Sequence, residues 1–191
     1  MVTERNAEFF EIIKNRLNPK RLYHSICVAE KAKHLAEKYG SDVEKAYTAG
    51  LVHDIMKNQS AEEMLQLIED DGQMLSDSEK AITVTLHAIA GEIYLRKSLN
   101  VTDEELLSAV RWHTTGKEDM SLFEKIIYVA DLVSDDRDYP DVEEVRQLAE
   151  EDLDKTLLRG LSFTIEDNAK KHKLIHTDTV KAYNYYAERI R

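Results

Sequence analysis

Only two prolines, Pro19 and Pro140, and six glycines punctuate the 191 residues of this chain. That scarcity is the strongest constraint on its fold. A β-sandwich or barrel of this length needs a turn signal every 8–12 residues or so, and they are not there. Helix starts are frequent instead. Ser41…Glu44, Ser60…Glu63, Ser76…Glu79, Thr102…Glu105 and Ser121…Glu124 all have capping-box spacing, in which two side chains satisfy orphan amides reciprocally. Asn18-Pro19 reads as an N-cap and first-turn pair, and Gly40 as a helix stop. Apolar residues recur at three- and four-residue steps, as in Leu22, Ile26, Ala29, Ala32 and Ile82, Leu86, Ile89, Ile93. The pattern predicts an all-α protein with helices at 3–16, 19–39, 42–56, 60–70, 77–98, 103–113, 121–134, 141–151, 153–172 and 177–190.

The length suits one domain, 1–191, with a core over 19–134 and C-terminal helices over 135–191 packed on it. Twenty-six Lys and Arg stand against 37 Asp and Glu, a net charge of −11, which disfavours a nucleic-acid footprint. It still permits a small anionic ligand, because a metal or a few cations can reverse the field locally. The single cysteine, Cys27, excludes an internal disulfide and a Cys-rich zinc site. No stretch is apolar enough for a membrane span and the charged N-terminus lacks a signal-peptide layout, so the expected location is the cytoplasm. Asp135 to Asp154 holds ten acids with only Arg137 and Arg146 as bases, and reads as a solvated helical face.

Two acids sit where packing alone would not put them. Asp54 follows His53 inside the apolar run AYTAGLVHDIMK, and Asp131 stands inside EKIIYVADLVSD. Aspartate is a poor helix-interior residue and costly to bury unpaired. A buried ion pair or a capping role is the plain explanation; a divalent cation is the stronger one, since carboxylate and neutral imidazole both ligate it. His24, in PKRLYHSICVAE, lies near the apolar stripe of its own helix, as do His87 and His113 in TVTLHAIAG and SAVRWHTTG. Helical bundles build metal sites from side chains on facing helices in this way. A His, His, Asp, Asp set without thiolate favours iron, manganese or cobalt, with zinc also compatible. His87 and His113 either complete a second metal position bridged by Asp54, or hold a phosphate or a metal-bound water.

Local cations are available for an anionic substrate. Lys57 follows His53 by one helical turn, and Arg137, whose planar fork suits phosphate, lies just past the helix that carries Asp131. Thr114, Thr115 and Gly116 form a polar break after His113. Each has a plainer use: Lys57 as a helix-dipole partner, Arg137 as a neutraliser of Asp135 and Asp138, the Thr-Thr-Gly break as a helix stop. Trp112 and the C-terminal Tyr183, Tyr185 and Tyr186 read mainly as packing, the tyrosines also as contacts for a homodimer.

The order H…HD…H…H…D on helices resembles the HD-domain phosphohydrolases. RLYHSICVAEKA, AYTAGLVHDIMK, LHAIAGE and RWHTTGKEDMSLFEKIIYVADLVSDDRDYP, with the tail IHTDTVKAYNYY, look like the YqeK-like branch, from about residue 18 onward. The resemblance implies an HD-type helical bundle that hydrolyses diadenosine tetraphosphate symmetrically to two ADP, using one or two divalent ions, iron foremost. It implies His24, His53, Asp54 and Asp131 as metal ligands and His87 and His113 near the phosphates or a second metal. Asp54, Lys57, His87 and His113 take catalytic roles, and Arg21, Lys57, His87, His113, Thr114, Arg137 and His176 face the substrate. Ser134 and Asp135 depart from the family pattern, which leaves the metal set intact and touches only substrate contacts. Rival readings are another nucleotide phosphohydrolase such as a nucleoside monophosphatase, a di-iron oxygenase, or a nucleotide-binding module without catalysis.

Overall fold

A computed structural model describes residues 4–190, so the outermost positions of the expected first helix and of the 1–191 domain lie outside the described residues. Among those described, the chain forms α1 (Glu4–Arg16), α2 (Pro19–Tyr39), α3 (Val43–Val52), α4 (Ala61–Asp70), α5 (Asp77–Ala81), α6 (Leu86–Ser98), α7 (Glu104–Trp112), α8 (Leu122–Val133), α9 (Val142–Glu151), α10 (Leu153–Lys170) and α11 (Thr177–Arg189), with a 3₁₀ turn over Thr83–Thr85 and no strand. None of these helices is long and apolar enough to cross a membrane.

The punctuation works largely as its chemistry dictates. Asn18 caps α2 through the Arg21 amide with Pro19 in the first turn, and Gly40 closes that helix at φ +73°. Ser60–Glu63, Ser76–Glu79 and Ser121–Glu124 form complete capping boxes. Two expected boxes do not form. Asp42 and Asp103, not Ser41 and Thr102, accept the Lys45 and Leu106 amides, because a carboxylate one residue later caps equally well and brings charge to the positive helix end.

Two expected helices are shorter than their periodicity suggests. The 77–98 segment breaks at Ile82 (φ −93°, ψ 63°) within the β-branched run Ile82-Thr83-Val84-Thr85, which resists helical packing. The break restarts the chain as α6 and puts His87 in its first turn. The 42–56 segment leaves the helix at His53, so Lys57 reaches the site from a chain of turns and not from one helical turn beyond His53.

Around the site, α2 packs on α3 and α8, α7 joins α3, α6 and α8, and α10 ties α8 to α9 and α11. Phe123, Ile126, Ile127, Val129 and Ala130 make α8 the buried axis of the core. Phe9 and Ile13 of α1 also enter that core, ahead of the expected boundary at residue 19. Tyr186 is buried inside the molecule and its hydroxyl accepts the Met120 amide, so it serves packing.

α3 crosses the α2 backbone closely at Gly50. A Cβ there would lie 2.7 Å from the Ala29 Cα and 2.9 Å from its backbone nitrogen. This contact fixes α3, with His53 at its end, against α2, which carries His24. Gly50→Ala should lower stability by about 1–3 kcal/mol, because backbone and not a flexible side chain must give way. A denaturant midpoint unchanged from wild type would refute the close crossing.

Candidate metal centre and active site

Four imidazoles form a buried string where helix ends converge. Ring centroids lie 5.3 Å apart for His24–His53, 4.9 Å for His53–His113 and 5.1 Å for His87–His113. His53 caps α3 with helical backbone angles (φ −54°, ψ −38°), Asp54 follows in the turns beyond it, and both side chains reach the cluster. Asp131 arrives from the last turn of α8, and His113 from the cap of α7. Gly116 (φ +66°) closes the turn after His113, its amide on the Trp112 carbonyl.

The tautomers follow from the partners. His53 Nδ1 lies 2.7 Å from the Gly50 carbonyl and His113 Nδ1 lies 2.7 Å from the Val110 carbonyl. A carbonyl only accepts, so each Nδ1 carries the proton and each Nε2 in the neutral ring offers a lone pair. His53 Nε2 is fully buried with no hydrogen-bond partner among the described residues. That orphaned acceptor faces Asp54 Oδ2 at 3.7 Å and Asp131 Oδ1 at 3.9 Å, while His24 Nε2 lies 2.9 Å from Asp131 Oδ1. Two triads, His24–His53–Asp131 and His53–Asp54–His113, thus have ligand atoms close enough to hold a cation, and they share His53. The donor set fits a divalent ion: neutral imidazoles, carboxylates and an unsatisfied lone pair with no competing proton.

Asp54 faces both ways. Its Oδ2 meets Arg21 at 3.2 Å and looks toward His53, while its Oδ1 meets His87 at 3.1 Å, His113 at 3.6 Å and Lys57 at 3.8 Å. Burial pushes its pKa up, but His53, His113, His87 and Lys57 together hold it well below the usual carboxylate range. Asp131 is held down likewise, against burial, by Arg137, His24 and His53. Burial lowers His53 and His87 to about 4. His24 goes the other way: burial opposes its protonation, but Asp131 and Asp136 raise it. Cation binding there displaces a proton.

Asp136 is a site residue that the sequence reading missed. Its Oδ2 accepts from His24 Nδ1 at 2.8 Å, and the Ser134 hydroxyl donates to its Oδ1 at 2.7 Å. One acid of the run read as a solvated face therefore turns inward and orients His24, a candidate ligand, while its neighbour Asp135 stays exposed. Arg146 was also unread. It donates to the carbonyls of Val133 (3.1 Å), Ser134 (2.8 Å) and Arg137 (2.9 Å), pinning the loop after α8. Nothing local in the sequence signals either contact; each depends on residues brought together by the fold.

Of the expected substrate-facing residues, Arg21, Lys57, His87, His113, Thr114 and Arg137 gather here. Lys57 Nζ lies 3.1 Å from His87 Nε2, Thr114 Oγ1 lies 3.0 Å from His113 Nε2, and Arg137 grips Asp131 by side-chain and backbone contacts. His176 stands apart. It caps α11, accepts the Asp178 amide at 3.2 Å and groups with Glu79 and Asp178. Two cavities open on the cluster, one of about 270 Å³ reaching His113, Thr114 and Asp131, the other of about 340 Å³ reaching Lys20, Arg21 and His24. Arg137 lines both, and His176 lines neither.

Comparison with known proteins gives this geometry a family. The HD domain family model matches residues 21–136, a stretch that contains both triads. The chain belongs to the HD-domain family, in its YqeK-like branch. It is 39% identical over 176 residues to a protein of Halalkalibacterium halodurans named bis(5'-nucleosyl)-tetraphosphatase, symmetrical, spanning 91% of this chain and 92% of that one. A Bacillus subtilis protein of the same name is 37% identical over 93% of this chain and 95% of its own. The crystal structure of a predicted HD superfamily hydrolase involved in NAD metabolism from Clostridium acetobutylicum matches with TM-score 0.94 at 38% identity, over 96% of this chain and 97% of that chain. This HD-domain protein therefore carries a divalent-metal site of the kind its family implies.

Two outcomes follow. Asp136→Ala should weaken divalent-metal affinity roughly 10- to 100-fold while leaving the fold intact, read by metal titration and circular dichroism. In metal-free protein, His53 and His87 titrate near 4 folded and near 6.5 unfolded, so between those pH values the unfolded chain binds more protons. Stability should therefore fall as pH drops from 6.5 toward 4. The raised His24 adds nothing to this slope, because its contribution is already complete below 6.5. Urea midpoints that stay level across that window would contradict the assignment.

Proposed function

We propose that this protein hydrolyses diadenosine tetraphosphate symmetrically, adding one water across the central phosphoanhydride to release two ADP. The observation that carries the reading is the unpartnered His53 Nε2 between two carboxylates, ringed by Arg21, Lys57 and Arg137, in a chain whose near full-length relatives carry the name of that activity.

His24, His53, Asp54 and Asp131 would hold the divalent cation; the family resemblance puts iron first, and the nitrogen and oxygen donors also suit manganese, cobalt or zinc. Such a cation supplies Lewis acidity to a phosphoryl oxygen and lowers the pKa of a coordinated water. Asp54 turns one oxygen toward His53 and the other toward His87 and His113, so it and His113 would be the residues to hold a second ion. The chain's own residues do the rest. Arg137 stands at the junction of the two cavities, where its fork can take phosphate oxygens from either side. Lys57 and Arg21 offset the charge that develops on the transferring group. Burial lowers the Lys57 pKa, which readies it to surrender a proton to the departing phosphate. His87, which burial keeps neutral near pH 7, meets His113 at 3.1 Å, and both rings lie beside Asp54. Thr114 donates its hydroxyl at the cavity wall. A nucleotide substrate sets the expected compartment as the cytoplasm.

The deciding experiment loads the protein in turn with iron, manganese and cobalt, incubates it with diadenosine tetraphosphate and resolves the products by anion exchange. ADP alone is the expected product; AMP with ATP would refute symmetrical cleavage, and no product would refute the substrate. Asp131→Asn should lower kcat at least 100-fold and reduce bound metal while helicity is retained, because it removes one ligand charge and leaves the helix in place. Full activity of that variant would remove Asp131 from the ligand set.

A further inference from the structure

Phe163 is a large aromatic residue that the core does not use. The inward stripe of α10 is Leu153, Thr156, Leu157, Gly160 and Leu161, and Phe163 falls off it, 45% exposed. Its ring is nonetheless held. Tyr139 stacks on it with centroids 5.7 Å apart and planes inclined by 30°. Tyr139 is itself fixed by a hydrogen bond of 3.1 Å from its hydroxyl to the Leu132 carbonyl at the end of α8. The pair stands at the mouth of the site. Phe163 and Tyr139 line both cavities that reach the metal cluster. They also line a third cavity of about 270 Å³ that lies away from it, between Leu132 and the charged residues Asp141, Arg159, Glu166 and Lys170.

A symmetrically cleaved dinucleoside tetraphosphate places demands on this region. The bond that breaks lies at the centre of the phosphate chain, so two phosphates and a ribose separate each base from that bond. A base must therefore be held away from the metal ligands, at the outer edge of the cleft. An immobilised aromatic ring with one side exposed meets that need, because a purine offers a wide π-face to it. The neighbouring cavity, apolar at Leu132 and Phe163 and polar at its rim, has the character of a small-molecule subsite.

We propose that Phe163, braced by Tyr139, is the stacking platform for the purine base of one half of the dinucleoside substrate, and so sets preference for purine over pyrimidine dinucleotides. The proposal rests on the function proposed above. It involves no bond making at Phe163; the ring binds and orients.

The test uses metal-loaded wild-type protein with Phe163→Ala, Phe163→Leu and Phe163→Trp. Steady-state kinetics are measured on diadenosine and diuridine tetraphosphates, and ADP and UDP affinities by calorimetry. Phe163→Ala should raise KM for the diadenosine compound about tenfold with little change in kcat, weaken ADP by a similar factor, and largely erase the preference over the uridine forms. Phe163→Trp should retain wild-type behaviour, and Phe163→Leu should resemble Phe163→Ala. Unchanged KM and ADP affinity in Phe163→Ala would overturn the proposal, as would full recovery by leucine, which keeps an apolar wall without a π-face. A loss confined to a shift in oligomeric state, read by light scattering, would overturn it too. Should wild type cleave neither dinucleotide, the proposed function fails, and the ADP titration still decides whether Phe163 holds a base. Absence of ADP binding would remove both.

Discussion

Burying Asp54 and His53 side by side is the constraint on which the rest of this structure depends. An ionised carboxylate out of water is tolerable only when other groups return what solvation supplied. Here Arg21, Lys57, His87 and His113 do so for Asp54, and each arrives from a different part of the chain. That requirement explains features with no independent reason to exist. The third helix ends at Val52, and His53 and Asp54 follow it into the site. A helix break at Ile82 sets His87 in the first turn of α6. Gly50 lets α3 lie against the α2 backbone at a separation no other residue permits. What remains uncompensated is the His53 Nε2 lone pair, and a cation is the natural partner for a neutral nitrogen between two carboxylates.

Much of this was legible in the sequence, and the legible parts share a physical character. Capping at Asn18, Ser60, Ser76 and Ser121 is local, decided within three residues. The misfit of Asp54 and Asp131 inside apolar runs is also local, because a burial cost shows in the composition of one helix. The order of histidines and acids then pointed to the family. What escaped is of long range. His24 and Asp136 are separated by 112 positions, and nothing around Asp136 distinguishes it from the other acids of its run. Only once the loop after α8 folds back, tied by Arg146, does this carboxylate face inward. His176 shows the converse. It carried a family expectation, yet the fold engages it in capping α11 with Asp178 and Glu79 beside it.

The acidic run from Asp135 to Asp154 is therefore two things in one segment. Its helical part, with Glu143, Glu144 and Glu151 exposed, is the solvated face that its composition suggests. Its first residues are site machinery: Asp136 orients His24, Arg137 grips Asp131, and Tyr139 braces Phe163. Charge composition averages over both and cannot separate them. The separation is made by Arg146, whose guanidinium takes three carbonyls of the turn, a task that five donors in a fixed planar fork perform and an ammonium could not.

A net charge of −11 and the proposed polyphosphate substrate are reconciled by the same architecture. Surface carboxylates act at distances where salt screens them, within about 10 Å at 0.1 M ionic strength. The site cations act at contact, in a partly buried cleft where Coulomb attraction is far less attenuated. Arg21 and Arg137 are each held beside a carboxylate of the proposed metal site, so their charge is engaged by Asp54 and Asp131. Cation binding thus does more than add positive charge of its own. Under the proposed assignment, a cation that took up Asp54 and Asp131 would free both guanidinium groups to face an anionic substrate. Affinity for phosphate and affinity for the cation are in that sense one property, because both are written on the same two carboxylates.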